Sequence, residues 1–336
     1  MRLSMRTWFR RLGSLLLLGG LALNSANVTT AVEPKPKESR APRQLLVPGT
    51  GQLVVQVGDD FEAEDWEYLP SAPKSSENID GAQRLPGGAS KNGRFYEGVM
   101  RGQPCVVKRV ETPPGGLPES KGSLLLRSLW TGIPGQPTYQ MQQDDFIVDV
   151  ENRLGGAVPV HQQPSFVTRV FLLPVSQWER RSGPHFAVRA AVDTMAYTTE
   201  SKGRVFGREV YYPGMFIELS RKEDNGLKYD TAHIRIRADQ IGADYQGPQI
   251  EQTGWWTFGM SFTRDGMLHF FAKPGIEDLT AEDHIGSQFS YGYRCQRFKT
   301  FFFNVCNGDN GRTWSSPFII DDPRLYYIPT ETARRK

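Results

Sequence analysis

Three acidic residues in one predicted strand have the spacing that acid–base chemistry requires. Asp145, Asp149 and Glu151 occupy alternate positions with Ile147, so an extended strand presents all three carboxyl groups on one face. Hydrolysis of a glycosidic bond uses two carboxyl groups about 5–9 Å apart, and residues two positions apart on a strand are separated by roughly 6.5–7 Å. The same pattern predicts an amphipathic strand whose acids face water, and we favour that second interpretation.

Trp255 and His269 add two ring side chains to the candidate ligand-binding residues. Trp255 lies on the mixed face of a predicted strand, where an exposed indole would stack on a sugar ring; packing beneath a loop is the favoured alternative. His269 is predicted to point to the apolar face opposite Phe262. It is a candidate base or ligand, although a neutral ring bonded to a backbone carbonyl is the favoured interpretation. The sequence therefore gives five candidate ligand-binding residues and no assigned catalytic residue.

A cationic strand is the second place where a ligand is expected. His233, Arg235 and Arg237 alternate with isoleucines and are able to hold an anionic polysaccharide through bidentate contacts, although a solvated strand face is the favoured interpretation. Residues 307–311 offer oxygen atoms in a tight loop, as Ca²⁺ sites do, but an ordinary hairpin turn is favoured there. No metal ligand is assigned and no cofactor is expected, with Ca²⁺ as the one ion considered. Ser/His/Asp, phosphate-loop and dinucleotide motifs are absent from the sequence.

The element that must position these residues is a strongly apolar hairpin at residues 254–274. Trp256, Phe258, Met260 and Phe262 alternate with smaller or more polar residues, which is the period of a strand with one buried face. The Asp265-Gly266 pair is predicted to form a two-residue loop, which places Met267 and Phe271 on the same buried face. A hairpin this apolar needs a second sheet against it, so the predicted fold is an all-β antiparallel sandwich.

The rest of the chain repeats short apolar runs separated by Gly, Pro, Asn and Asp clusters. One such run covers residues 145–150, and only residues 277–284 suggest a turn or two of helix. Many short strands with such punctuation favour an all-β sandwich or barrel. We predict a single β-sandwich domain at residues 53–330 with a disordered tail at residues 331–336.

The N-terminus has the composition of an export signal. Residues 1–31 contain a basic start, an apolar run at residues 15–23 and then small residues, which is typical of a secretory signal peptide. A flexible Pro- and charge-rich leader follows at residues 32–52. The run is shorter than the ~20 residues that span a bilayer, and an uncleaved anchor or a buried helix is the alternative interpretation. After cleavage no long apolar segment remains, so no membrane span is expected. The expected location is secreted, periplasmic or at the cell surface.

Charge and cysteine content exclude some function classes. The chain of 336 residues has 40 Lys and Arg, 37 Asp and Glu, and a formal net charge of +3. Residues 1–31 hold four arginines and no acid, so the cleaved protein is close to neutral and offers no electrostatic attraction for nucleic acid. Three cysteines are an odd number, so at least one thiol is free or pairs outside the chain. The pairing among Cys105, Cys295 and Cys306 stays open.

Four segments in order resemble the concanavalin A-like lectin/glucanase superfamily, which includes laminin G-like jelly-roll domains. They are Asp59-Asp60-Phe61 with Trp66, the strand at residues 121–126, Trp256 with the Asp265-Gly266 hairpin, and residues 318–326. The resemblance implies a concanavalin A-like jelly roll with little helix. Glycosidases of this superfamily carry Glu-x-Asp-x-x-Glu on one strand, and residues 144–151 depart from that spacing.

These observations predict an exported, non-catalytic carbohydrate-binding or surface-interaction module. The partner would be a polysaccharide or glycan, or another cell-surface component. A divergent glycoside hydrolase or polysaccharide lyase that uses Asp149 and Glu151 is the first alternative. A structural component of an envelope or matrix is the second.

Overall fold

The computed structural model describes residues 45–200 and 203–329, which belong to one compact unit. The predicted signal peptide, most of the leader and the tail lie outside the described residues. The strands, in chain order, are β1 (Gln52–Gly58), β2 (Tyr68–Leu69), β3 (Ala89–Ser90), β4 (Phe95–Tyr96), β5 (Val106–Glu111), β6 (Gly122–Arg127), β7 (Gln142–Val148), β8 (Val158–Pro159), β9 (Ser165–Leu172), β10 (Gly183–Glu200), β11 (Gly203–Tyr211), β12 (Gly214–Ser220), β13 (Thr231–Arg237), β14 (Tyr245–Ile250), β15 (Gly254–Phe262), β16 (Leu268–Pro274), β17 (His284–Gln288), β18 (Arg297–Asn307) and β19 (Phe318–Tyr327).

Helical structure in the described residues is confined to short turns. The α-helices are α1 (Glu77–Asp80), α2 (Glu151–Leu154) and α3 (Lys222–Asn225), and the 3-10 turns are Val160–Gln162, Val175–Gln177, Ala281–Asp283 and Ser290–Gly292. The helix suggested for residues 277–284 is therefore one 3-10 turn, after which the chain continues as β17.

The strands form two antiparallel sheets that we call sheet A and sheet B. Sheet A has the order β17-β16-β15-β9-β19-β6-β5, with β1 against β19. Sheet B has the order β14-β13-β12-β10-β18-β7-β4-β3-β2, with β11 against β10 and β8 against β18. The chain crosses from one sheet to the other several times, as in a jelly-roll sandwich. The predicted all-β, antiparallel sandwich class is confirmed.

Aromatic rings fill the space between the two sheets. Phe166 of sheet A stacks on Phe301 of sheet B with 4.5 Å between ring centroids, and Phe318 of sheet A stacks on Phe186 of sheet B at 4.6 Å. All four rings are fully buried. Fully burying such a side chain is worth about 1.5–3 kcal/mol relative to leaving it exposed, so this layer is the main source of stability. Within it lie the predicted core residues Trp256, Phe258, Met260 and Phe262.

The predicted two-residue hairpin loop is wrong by one position. Phe262 pairs with Leu268, and Thr263 N–H donates to the Met267 carbonyl, which leaves a three-residue loop. Gly266 closes it at φ +82°, the left-handed conformation that a three-residue loop requires. A shift of one residue exchanges the faces of a strand. Leu268, Phe270 and Ala272 therefore enter the main core instead of Met267 and Phe271.

The outer faces of the two sheets differ in what covers them. On sheet A, Val167, Phe271 and Leu279 form a second apolar cluster, and Leu45 and Val47 pack against it. The segment before β1 and the chain between β16 and β17 thus shield part of that face. The outer face of sheet B carries charged and aromatic side chains, several of them partly exposed. Sheet B is therefore the open side of the sandwich.

Candidate functional site

Arg189 lies at the centre of the outer face of sheet B. It is on β10 and pairs with Phe302 of β18 on one side and Gly214 of β12 on the other. A Cβ atom on Gly214 would lie 2.4 Å from Arg189 Cγ, so glycine there leaves the space that the arginine side chain occupies. The backbone of two neighbouring strands thus determines where this guanidinium lies.

Three aromatic rings surround the Arg189 guanidinium. Its Cζ lies 5.3 Å from the Phe216 ring, 5.4 Å from the Phe302 ring and 5.8 Å from the Tyr212 ring, and these contacts favour the cation. Its Nη2 donates to the Tyr212 carbonyl at 2.6 Å, whereas its Nε is buried without a hydrogen-bond partner. The residue is only 8% exposed, and burial lowers its pKa to about 10. The site therefore contains a desolvated cation with an unused donor, which suits a carboxylate.

Asn304 connects Arg189 to Asp145. The Asn304 amide accepts a hydrogen bond from Arg189 Nη1 at 3.1 Å and donates one to Asp145 Oδ1 at 2.6 Å. Burial raises the pKa of Asp145 to about 6, against the opposing attraction of Arg101 and Arg189. A partly exposed carboxyl group that changes charge close to neutral pH is able to accept a proton in a reaction.

The cationic strand predicted at residues 232–237 corresponds to β13 (Thr231–Arg237) and borders this cluster. His233, Arg235 and Arg237 are partly exposed on β13, while Ile234 and Ile236 are buried. Arg235 opposes Phe216 across the sheet, and its guanidinium lies 5.1 Å from that ring. The predicted alternation is thus present in the structure, and it extends the polar face from β10 to β13.

Two carboxylates neutralise part of this border. Arg235 lies 3.0 Å from a Glu218 carboxylate oxygen and 3.6 Å from one of Asp244, and Arg237 lies 3.5 Å from the same Asp244 oxygen. Arg237 Nε also donates to the Tyr291 hydroxyl at 2.7 Å. We use the name "sheet B site" for the set Asp145, Arg189, Tyr212, Phe216, Glu218, Arg235, Arg237, Phe302 and Asn304.

A two-stranded arm continues the outer face beyond the sheet. The second half of β10 pairs with β11 alone, because the β12 partner ends at Arg189 and the β18 partner ends at Asp193. Tyr197 and Phe206 face each other across the arm with 4.8 Å between ring centroids. They are 58% and 54% exposed, so the arm presents an accessible aromatic surface.

The three acids predicted to share one strand face do not form one cluster. Only Asp145 belongs to β7, which ends at Val148, two residues before the predicted end. Asp149 follows the strand and its carboxylate accepts from the Asn152 N–H at 3.3 Å. Glu151 begins α2 and is ion-paired with Lys299 at 2.7 Å. The prediction of a common strand face is thus wrong, because the chain turns into a helix after Val150.

Trp255 is not an exposed platform in this structure. It is 7% exposed, and its indole N–H donates to the Pro113 carbonyl at 3.3 Å. The ring also makes an edge contact with Phe171, at 5.3 Å between centroids. The loop that contains Gly115 and Gly116 covers the ring, so the favoured sequence interpretation, packing beneath a loop, describes this residue.

His269 lies on the outer face of sheet A, not on the predicted apolar face. The register places it opposite Ser261, and its ring bonds to two hydroxyl groups, those of Thr263 and Ser287. The favoured expectation of a ring bonded to a backbone carbonyl stays a prediction. Trp255 and His269 lie on sheet A, whereas Asp145 lies on sheet B, so the five candidate residues do not line one cleft.

The oxygen-rich loop after β18 makes hydrogen bonds within itself and to Thr138, and Asp309 Oδ1 is buried without a hydrogen-bond partner. Asn307 Oδ1 accepts from the Asp309 N–H at 2.8 Å, and Asp309 Oδ2 accepts from Thr138 Oγ1 at 2.7 Å. Within the described residues no group of three or more His, Cys, Asp or Glu side chains has metal-binding geometry. Over the same residues no helix has the length and apolar composition to span a membrane, and Cys105, Cys295 and Cys306 are unpaired thiols.

The sequence interpretation missed Arg189 and Asn304. Both interrupt long apolar runs, Arg189 between Val188 and Ala190 and Asn304 between Phe303 and Val305. A charged or amide side chain in such a run is itself a signal, because polar groups are rarely buried without a partner. The two runs become neighbours only when β10 pairs with β18.

No protein-family model and no curated protein matches this sequence. Similar solved structures include an alginate lyase from Pseudomonas aeruginosa, at 8% identity and a TM-score of 0.37 over 61% of this chain and 82% of that chain. They also include an endo-β-1,4-glucuronan lyase from Trichoderma reesei, at 8% identity and a TM-score of 0.36 over 66% and 86%.

The binding domain of a paraclostridial mosquitocidal protein is similar to the same degree. It matches at 9% identity and a TM-score of 0.33 over 73% of this chain and 46% of that chain. The resemblance to lectins and laminin G-like domains is not confirmed by a family model or by a curated protein. At these identities and TM-scores the likeness does not assign a function, which has to be argued from the site.

Proposed function

We propose that this protein binds a carboxylate-bearing polysaccharide on the outer face of sheet B. The observation that supports the proposal is the environment of Arg189, a buried guanidinium with an unpartnered Nε between three aromatic rings. Burying a cation without a full set of partners costs free energy. A ligand carboxylate that reaches Arg189 recovers part of that cost through charge-assisted hydrogen bonds.

The surroundings of Arg189 suit a sugar chain better than an isolated small acid. Phe216 lies buried beneath both Arg189 and Arg235. The ring of Tyr212 is 43% exposed, and exposed aromatic faces pack well against the apolar faces of sugar rings. The row of charges continues along β13, and the arm adds Tyr197 and Phe206 further along. Such an extended face fits a ligand with repeated carboxylates. Export of the chain, predicted from residues 1–31, brings it to the compartment where extracellular polysaccharides occur.

Substitution of Arg189 by lysine tests the binding proposal. Lysine keeps the charge but loses the planar fork and the ring stacking. We expect affinity for an acidic polysaccharide such as polyuronate to fall about tenfold to a hundredfold, the equivalent of one or two charge-assisted hydrogen bonds. Arg312→Lys is the matched control, because Arg312 is exposed outside the sheet B site.

Isothermal titration calorimetry measures the affinity of both variants for the polysaccharide. Their unfolding temperatures show whether they are folded. Unchanged affinity in a folded Arg189→Lys variant would contradict the assignment of the site. If the wild-type protein binds neutral glucans but no polyuronate, the proposed ligand class is wrong.

A second candidate function is cleavage of the bound polysaccharide by β-elimination. The specific observation is that Asp145, with a pKa of about 6, is joined to Arg189 through Asn304. Elimination needs a cation and amide donors to stabilise the uronate carboxylate and a base to take the adjacent C–H proton. Asp145 takes that proton, and the C–H electron pair forms the new C=C bond. The glycosidic C–O bond breaks with its electron pair on the leaving oxygen, which takes up a proton from water.

The elimination product contains a conjugated double bond, so cleavage is followed by ultraviolet absorbance. If the candidate is right, polyuronate incubated with the wild-type protein gains absorbance and Asp145→Asn does not produce that gain. Tyr212→Phe and Tyr291→Phe serve as comparisons, because both phenols border the site. Activity retained in Asp145→Asn but lost in one of these variants would transfer the role of base to that tyrosine. Binding without any product leaves the first proposal standing and rejects this one.

A further inference from the structure

A continuous row of polar side chains crosses the outer face of sheet A at its β17 edge. Ser287 Oγ lies 2.6 Å from His269 Nδ1 and 2.6 Å from His284 Nε2. His269 Nε2 lies 3.0 Å from Thr263 Oγ1, which in turn lies 2.7 Å from Asp265 Oδ1. The five residues come from the hairpin loop, β16 and β17.

The hydrogen positions in this row follow from the donor capacity of each group. An ionised carboxylate only accepts, and the pKa of Asp265 is held low, with hydrogen bonds from Thr263 and the Met267 N–H outweighing the effect of burial. Thr263 O–H therefore donates to Asp265, and the Thr263 oxygen accepts from His269 Nε2–H. In the neutral form of the imidazole the remaining lone pair is at Nδ1, facing Ser287. The serine O–H donates to it.

The fold holds the base rigidly and leaves the serine accessible. His269 is 2% exposed and is fixed on both sides by its two hydroxyl partners. Ser287 is on the edge strand of sheet A and is exposed. The three-residue loop is essential to this arrangement, because the register that it imposes turns His269 toward Ser287 and away from the core.

We propose that Ser287 is the nucleophile of a second, ester-cleaving site, with His269 as its general base. A serine within hydrogen-bond distance of an imidazole that is oriented by a third group is the arrangement of activated serine nucleophiles. Ser287 Oγ attacks the ester carbonyl carbon while its proton moves to His269 Nδ1. The C–O bond to the alcohol then breaks, and the alcohol takes the proton from His269. Water, deprotonated by His269, attacks the acyl-serine, the acyl C–O bond breaks, and Ser287 regains its proton.

The surroundings of Ser287 favour a short acyl group on a large carrier. The serine lies on an open strand edge, so the acyl group enters no deep apolar slot and the carrier is free to extend into solvent. His284 Nε2 lies 2.6 Å from the same Ser287 Oγ, so an N–H there holds the nucleophilic oxygen in place while the serine O–H points to His269. The substrate class is thus an acetyl-type ester, such as an acetylated sugar. This site is independent of the sheet B site, which lies on the opposite outer face.

A fluorophosphonate probe tests the nucleophile directly, because a P–O bond to an activated serine forms as fluoride leaves. We incubate the full chain with the probe and locate the adduct by peptide mass spectrometry. The expected result is labelling at Ser287 that disappears in Ser287→Ala and falls about tenfold or more in His269→Asn. Hydrolysis of an aryl acetate should follow the same order. Ser182, whose hydroxyl donates to Asp224, is the control serine. The absence of labelling at Ser287, or equal labelling at Ser287 and Ser182, would overturn the proposal.

A cysteine variant keeps the test decisive if His269→Asn fails to fold. In Ser287→Cys the introduced thiol should form an ion pair with His269, which lowers the pKa of the thiol. Alkylation of that thiol by iodoacetamide at about pH 6 should then be roughly tenfold faster than alkylation of the thiol introduced by Thr253→Cys, an exposed control on the chain before β15. Equal rates in the two variants would show that His269 does not activate this position.

Discussion

Arg189 carries its charge in a place from which water is largely excluded. Moving a guanidinium out of water is costly, and here the cost is offset by Asn304, the Tyr212 carbonyl and three aromatic rings. The Nε–H of Arg189 is buried and has no hydrogen-bond partner. At the scale of single residues, Arg189 thus lowers the stability of the folded protein and leaves a donor for a ligand carboxylate.

Asp145 should make the stability of the fold depend on pH, because burying its charged form also costs free energy. Burial raises its pKa from 3.8 to about 6, so the folded state binds the proton more tightly than the unfolded state does. The free-energy cost of burying the charged carboxylate is absent below the ordinary pKa of 3.8. It grows as the pH rises from there to about 6, and it is complete above about pH 6. Asp145→Asn should therefore be more stable than wild type by about 1–2 kcal/mol at about pH 8, after allowance for solvent screening.

Urea unfolding of both proteins at about pH 8 and about pH 4 measures this difference. The stability gain of Asp145→Asn should disappear at the lower pH, because Asp145 is then protonated in both states. An equal gain at both pH values would show that the substitution acts through packing and not through the charge.

The hairpin and the arm show how single elements decide which residues become available. In the β15–β16 hairpin, one extra loop residue ending at Gly266 turns His269 to the outer face. In the arm, β10 continues past its sheet partners and pairs with β11 alone. The first element creates the environment of Ser287, and the second extends the surface that contains Arg189.

The arm should contribute to binding only when the ligand is long. Tyr197 is eight residues from Arg189 along β10, a distance of about 26 Å in an extended strand. Tyr197→Ala and Phe206→Ala should each weaken binding of a long polyuronate about threefold to tenfold, through loss of ring stacking. Binding of a disaccharide or trisaccharide should not change.

Tyr229→Ala is the control for the arm, since Tyr229 is 63% exposed on the connection between β12 and β13. Calorimetric titration with size-fractionated oligosaccharides makes the comparison. If the arm variants lose affinity equally for short and long ligands, the arm acts on the structure of the site and not as an extension of it.

At the scale of the whole molecule, net charge does not provide the attraction for an acidic ligand. The chain has 40 basic and 37 acidic residues, and four of the basic ones lie in the predicted export signal. The ligand must therefore be attracted by local charges on the open face of the sandwich. On the outer face of sheet A, the part that carries the apolar cluster of Val167, Phe271 and Leu279 is covered by Leu45 and Val47.

Charge reversal at two positions tests this localisation. Arg235→Glu, in the sheet B site, should weaken polyuronate binding about tenfold or more, because an attraction becomes a repulsion. Lys108→Glu makes the same change in net charge at an exposed position on β5 of sheet A, and it should leave affinity nearly unchanged at physiological salt. Equal effects of the two substitutions would contradict a localised site.

The sequence alone determined the fold class and much of the local pattern. Alternation identified the apolar face of β15 and the cationic face of β13, because a strand presents successive side chains to opposite sides. Predicted turn clusters marked several strand ends, among them those of β5 and β18. The loop of the central hairpin was misjudged by one residue, since both lengths accept the same Asp-Gly pair. That single residue changed the predicted surroundings of His269.

Only the tertiary structure decided which of these faces is open and which residues meet there. Asn304 donates a hydrogen bond to Asp145, which is 159 residues away in the sequence. Trp255 donates one to the carbonyl of Pro113, which is 142 residues away. A period of two specifies which side chains share a face, but it contains no information about the strand or loop that comes to lie against that face. Arg189 and Ser287 became candidates for this reason: their partners lie on other strands, brought together only by the pairing of the sheets.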